Sequence, residues 1–339
     1  MVNNIVLKEA NKLKIKNIIL FMFCTTVFCF AEDEGVRLIP LMNYEFISLE
    51  NQQINAPGVG LILLNGDHEP ELYAKQNNLM IALLYKPYIL KEILPGYSKL
   101  YNDIDFIVER KFGPHLLQGI FSTFTDKPIY GGFHTTYTSL GYGYELVRKE
   151  NLNFTLGLAL GMGDFGINLP NGSIWPLLPM PIIRFNLKSQ IINLAFDFPE
   201  FKFAFLPESK IRLTGAAHLD IYKFHDIHDF KFNSILWYRF FDKDFVAGDF
   251  LGIGLGLQNV GQNDGTDFIL GEKGKKYDIN YYSVFGIVDA GLLKLSGGYI
   301  FYSREVYDAN YIRSTGNGFF VKVEALYQFK LNKKETHYE

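Results

Sequence analysis

The chain has 339 residues, 48% of them hydrophobic, 16% aromatic and 20% charged, with a formal net charge of −3. A charged share below the ~25% of an average soluble domain, with apolar residues in good supply, excludes a disordered chain, and the lack of a basic excess excludes nucleic acid as a partner. Both cysteines, Cys24 and Cys29, fall within the first 31 residues, which excludes disulfides and cysteine-ligated metals from everything downstream.

Those 31 residues differ from the rest. Lys8, Lys12, Lys14 and Lys16 precede an uncharged run, Ile18–Phe30, and then Ala31 and "EDEG". This is the order of a secretory signal: basic region, short apolar core, small residue before the cut. Thirteen residues fall short of the ~20 a spanning helix needs. Cleavage is expected after Ala31; the alternative makes Cys29 a lipidated first residue. Without the leader the net charge becomes −6.

Downstream, period two dominates. Strands are expected near 37–48, 53–64, 77–86, 103–112, 115–125, 132–147, 152–164, 179–206, 210–222, 229–241, 245–261, 278–289, 292–303 and 317–329. In "NFTLGLALGMGDF" Phe154, Leu156, Leu158, Leu160 and Met162 share one face, with Thr155, Gly157, Ala159, Gly161 and Gly163 opposite. In "FLGIGLGLQNV" Leu251, Ile253, Leu255 and Leu257 alternate with Gly252, Gly254, Gly256 and Gln258. Successive strand side chains point to opposite faces, so each segment is two-faced. The count is 14, rising toward 16 if "KSQ" (Lys188–Gln190) and "FPEF" (Phe198–Phe201) are turns. Lys86–Asp103, the best helical candidate, is interrupted by Pro95 and Gly96 and reads as a loop.

A glycine-rich face is a poor solvent face for a soluble sheet, because it weakens the strand and offers no charge against aggregation. As the wall of a lumen it is sensible. Each large apolar side chain is worth ~1.5–3 kcal/mol on leaving water, so the opposite faces must meet lipid or a core. A closed sheet also satisfies every backbone group without an edge. The expected fold is all-β: a single closed antiparallel transmembrane β-barrel of about 14 strands (range 12–16), with short periplasmic turns and longer extracellular loops. It would span 32–329, followed by a polar periplasmic tail, 330–339. The 31 Phe and 21 Tyr suit a lipid-facing band and girdles, with Tyr281–Ser283 and Tyr299–Ser303 near strand ends.

The closing stretch "FFVKVEALYQF" resembles the terminal strand of bacterial outer-membrane barrels. The resemblance implies that Phe329 and Tyr327 form a terminal signal read by the barrel-insertion machinery. The departure is the ten-residue tail "KLNKKETHYE". The block Pro179–Ala217 is similar to a family of uncharacterised, porin-like outer-membrane barrels that carries no established activity. Together these imply the outer membrane of a Gram-negative-type or spirochaete-like envelope, reached through the signal peptide. The partners implied are outer-membrane and lipopolysaccharide-type lipids.

No residue set carries an enzyme's chemistry. "HDIHD" (His225–Asp229) offers two histidines and two carboxylates, but it lies between strands at a spacing that matches no metal motif. His218 and Asp220 share a face, yet no G-x-S-x-G supplies a nucleophile. No cofactor or metal is implied. The polar wall of the lumen is expected to include Arg184, Arg212, His218, Asp220, Arg239, Asp289, Lys294, Lys322 and Glu324. Both signs are present, so no strong ion preference follows. The function this favours is a pore for passive passage of small solutes. The alternatives are a transporter of hydrophobic substrates, or a structural or adhesive barrel with a closed lumen and partner-binding loops.

Overall fold

The structure, a computed structural model, describes residues 36–65, 77–127, 135–163, 169–173, 175–219, 230–245, 248–261, 268–269, 276–307, 311–327 and 329–331. The expected leader, the "HDIHD" segment, Asp220 and most of the polar tail lie outside them.

The described chain is almost all strand. The first half holds β1 (Val36–Leu49), β2 (Gln52–Asn65), β3 (Asn77–Leu90), β4 (Leu100–Phe112), β5 (His115–Thr125), β6 (Thr136–Lys149), β7 (Leu152–Met162), β8 (Leu177–Leu187) and β9 (Ile192–Asp197). The second half holds β10 (Glu200–Phe205), β11 (Ile211–Leu219), β12 (Phe230–Phe245), β13 (Gly248–Gly261), β14 (Phe268–Ile269), β15 (Lys276–Asp289) and β16 (Leu293–Tyr307). The closing pieces are β17 (Tyr311–Ser314), β18 (Gly318–Leu326) and β19 (Phe329–Leu331). Neighbours in sequence pair antiparallel around the ring, and β18 closes it on β1 through Leu41↔Leu326 to Leu49↔Gly318.

The last three pieces form one strand. β17 and β18 share a single register against β16, and β18 and β19 share one against β1. The interruption after Leu326 faces Pro40, whose carbonyl accepts the Tyr327 N–H but which has no N–H to return. The barrel therefore has sixteen strands, with β14 outside the ring. This corrects the expected count of about 14. The block 179–206 is three strands, because residues 188–191 and 198–199 are turns.

Following paired residues once around the ring returns to β1 displaced by about 18 positions. For sixteen strands that shear corresponds to a tilt of about 40° and a mean backbone radius of roughly 15 Å. A strand of 14 residues such as β3 then rises about 35 Å along the axis, enough to cross the ~30 Å hydrocarbon of a bilayer.

The two ends differ. On the side that holds Val36 and Leu331, strands are joined at 113–114, 150–151, 188–191, 206–210, 246–247 and 290–292, with one longer link at 66–76. Gly113 makes the first of these turns with φ 57°, a left-handed conformation that costs glycine nothing. The opposite side carries the longer connections 91–99, 126–135, 163–176, 220–229 and the segment around β14.

Strand parity sorts side chains between two environments. Leu140 (70% exposed), Leu158, Leu236, Leu255, Ile253, Phe319 and Val321 point outward and are exposed. The residues between them point inward. Gly254 is inward because a Cβ there would lie 2.7 Å from Ile235 Cγ2 and 2.8 Å from Ile287 Cγ2. The glycine faces therefore make room for large inner side chains from neighbouring strands. Tyr299, Phe301 and Tyr302 are exposed on the outer surface, whereas Tyr281, expected in the same aromatic band, turns inward and is buried.

Candidate functional site

The inward rows enclose a cavity of about 470 Å³. Its wall mixes charges (Glu45, Lys86, Asp103, Asp105, Lys231, Lys322), amides (Asn43, Asn233, Gln258, Asn259) and rings (Tyr88, Tyr281, Phe285, Phe320). Several polar groups hold one another across strands that are not neighbours. Glu45 on β1 accepts from Lys86 Nζ on β3 at 2.9 Å and from the Tyr281 hydroxyl on β15 at 3.1 Å. Closer at hand, Lys322 and Glu324 pair along β18 at 3.0 Å, and Ser122 on β5 donates to Asp105 on adjacent β4 at 2.5 Å. Burying a charge in a sheet wall is costly unless it is paired, and these pairings meet that demand.

Toward the longer connections the lumen narrows. Tyr101 on β4 stacks on Tyr277 on β15 at 5.3 Å between ring centres, although five strands of the ring separate them on the shorter arc. The walls β1–β4 and β15–β18 thus approach each other, and Ile47, Ile54, Tyr88, Leu90, Ile279, Ile300 and Tyr307 fill the space between. Fully buried Glu305 ties this cluster together. Its Oε1 accepts from Gln52 Nε2 at 2.6 Å and the Tyr277 hydroxyl at 2.9 Å. Its Oε2 accepts from Arg313 Nε at 2.6 Å and the Tyr307 hydroxyl at 3.1 Å.

The connection 91–99 folds into this cluster instead of outward. Gln52 fastens it: the amide nitrogen donates to the Glu92 carbonyl, and the amide oxygen accepts the Glu92 N–H at 3.0 Å. Ile93, Leu94 and Tyr97 pack on the aromatic cluster, with Tyr97 edge-on to Tyr307 at 4.8 Å. From the other wall, β14 pairs with β15 and also, in parallel, with Thr125 at the end of β5. The mouth on this side is thus crossed by two inward segments.

The residues singled out in the sequence are scattered over this interior. His218, Lys322 and Glu324 border the cavity. Arg184 reaches from β8 to Glu109 on β4 in a two-toothed pair at 2.9 and 2.7 Å, and contacts Asp197 at 3.0 Å. Arg212 lies over the Trp237 ring at 5.8 Å. Arg239 donates to the Pro207 carbonyl at 3.1 Å, and Asp289 pairs with Lys294 at 3.2 Å beside the 290–292 turn. These last residues sit at the short-turn rim. Tyr327 is exposed beside the closing strand, and Phe329 pairs with Leu38 in β19.

Sequence reasoning missed Glu45, Lys86, Asp103 and Asp105 of the cavity wall, Gln52 and Glu305 of the narrow part, and Glu109, the partner of Arg184. A signal for some was present. In "NDIDFIVER" Asp103, Asp105 and Glu109 recur at even spacing and so share one face. Glu45 was masked by Ile47 and Leu49, apolar residues on its own face.

No protein-family model matches the chain, and no curated protein does. Among solved structures it is similar to Pseudomonas aeruginosa OpdK with vanillate at 12% identity, covering 88% of this chain and 100% of that one, TM-score 0.33. It is also similar to P. aeruginosa OccK8 (OprE) at 10% identity, covering 88% and 99%, TM-score 0.34. An outer membrane channel from Pseudomonas putida F1 aligns at 10% identity, covering 88% and 96%, TM-score 0.29. Values this low leave the architecture to be read from the chain's own strand pairing. That pairing defines a sixteen-stranded closed antiparallel barrel, apolar outside and mixed polar and aromatic within.

Proposed function

We propose that this chain is a bacterial outer-membrane barrel whose lumen passes small solutes. One observation carries the membrane half of the reading. Leu140, Leu158, Leu236 and Leu255 are more than half exposed on the outer face, while paired charges lie within. Apolar groups of that size facing water would each forgo ~1.5–3 kcal/mol, which lipid recovers. The cavity and its charged wall support the pore half. With carboxylates and lysines interleaved, the expected passage is narrow and weakly charge-selective. Arg184, Arg212, His218, Asp220, Arg239, Asp289, Lys294, Lys322 and Glu324 are assigned to its polar wall. Phe329 and Tyr327 are assigned to recognition by the insertion machinery, and the lipid partners are those of the outer membrane. The chain is read as non-enzymatic.

Planar-bilayer recording of refolded protein tests the pore directly. Discrete, small conductance steps are expected; persistently silent membranes would reject it. The pinched mouth favours one second reading, a closed-lumen barrel that works through its loops. Silence from the native chain together with silence after deleting 93–97 would establish that second reading.

A further inference from the structure

The wall between β2 and β3 is interrupted in the middle of its ladder. The two strands pair at Ile54↔Leu90 and Asn55↔Ile89, and again from Val59↔Tyr85 onward in the same register. Between these stretches no pair forms, although Ala56–Gly58 stay paired to β1 and Lys86–Tyr88 to β4. The register places Pro57 opposite Pro87. Lys91 N–H donates to the Gln53 carbonyl. By the alternation of an antiparallel ladder, 55↔89, 57↔87 and 59↔85 are then the other positions that should exchange both hydrogen bonds. With proline on both strands, neither bond at 57↔87 can exist. The seam therefore runs for about 13 Å without a cross-strand hydrogen bond. Elsewhere, Pro40 removes one bond from a ladder; here two are lost at one point.

The inner cavity reaches this seam. Val59, Gly60, Leu84, Tyr85 and Lys86, which flank the gap, belong to its lining, and Val59 is also exposed on the outer face. Gly58 and Gly60 present no side chain there. The Asn43 carboxamide lies over Gly58, within 2.0 Å of where a Cβ would be, and its buried oxygen has no hydrogen-bond partner among the described residues. Beyond it the cavity combines apolar surface (Leu41, Phe285, Ile287, Phe320) with charged groups.

We propose that the β2–β3 seam is a lateral port through which a single-chain amphiphile passes between the surrounding lipid and the inner cavity. Its chain would slide between the strands at Pro57 and Pro87, beside Val59 and Tyr85, while its polar head met Asn43, Glu45 and Lys86. This route is separate from axial passage and does not require the barrel to conduct.

The test uses full-length protein carrying C24S/C29S, refolded into phosphatidylcholine vesicles that contain palmitic acid with a diazirine in its chain. After illumination, adducts are mapped by mass spectrometry. Adducts are expected on inward residues such as Ile287 and Phe320 as well as on outward Leu140 and Leu158. Restoring both N–H groups with P57V/P87V should lower inward labelling about tenfold and leave outward labelling unchanged. A second variant, N55C/I89C, should label inwardly when reduced and lose that labelling when oxidised. Adducts confined to outward residues, or inward labelling that neither variant alters, would overturn the port. Conductance of the same samples reports the axial route independently.

Discussion

Leu255 and Gln258 lie three positions apart on β13, yet they answer to different solvents. Leu255 is 64% exposed on the outer face, whereas Gln258 donates inward to Ser283 at 3.0 Å. An L255R substitution should therefore cost about 2–4 kcal/mol, the usual range for arginine at mid-membrane depth, while Q258R should cost little. Urea titration of folded protein in lipid vesicles reads both. Equal costs for the two would show that the faces do not differ in solvent. Gly254 gives a second prediction. A valine there must displace Ile235 or Ile287, so G254V should destabilise by about 1–3 kcal/mol in the same titration. Arg313 gives a third, because R313A leaves the fully buried Glu305 without its cation. The expected loss is about 3–5 kcal/mol, with E305Q/R313M recovering most of it.

At the scale of elements, the strands were legible because period two survives in nearly all of them. Leu156, Leu158 and Leu160 against Gly157, Ala159 and Gly161 leave no other regular structure available. The turns inside 179–206 were harder. "KSQ" and "FPEF" carry turn chemistry, but the apolar run on either side reads equally well as one long strand. What the sequence could not show is which partners meet across the lumen. Glu109 and Arg184 are 75 residues apart, and Gln52 and Glu305 are 253 apart. Such meetings depend on ring closure and on how far the β1–β4 and β15–β18 walls approach. Nor does any local pattern say that 91–99 folds inward, since its hold is Gln52, a residue at the start of another strand. Its release is testable. Q52A removes both bonds to Glu92 and one to Glu305, so single-channel conductance should rise relative to the native chain. An unchanged conductance with native stability would remove 91–99 from the passage.

For the whole molecule, inside and outside are exchanged relative to a soluble protein. The sixteen-strand ring pairs most of its backbone internally, with the β2–β3 seam interrupted, and turns its leucines and aromatics to the exterior. It keeps its carboxylates and lysines paired around an inner cavity. Every functional reading depends on that arrangement, because a wet interior has meaning only if the exterior is dry. Nitroxide scanning tests it most directly. Labels are placed one at a time at the outward positions 140, 158 and 255 and at the inward positions 105, 218 and 258 of protein in lipid vesicles. Relaxation is then compared with oxygen, which concentrates in hydrocarbon, and with a water-soluble nickel chelate. The outward set should be oxygen-accessible and shielded from nickel, and the inward set the reverse. Nickel access at 140, 158 and 255 equal to that at 105, 218 and 258 would contradict a barrel that meets lipid with its apolar face.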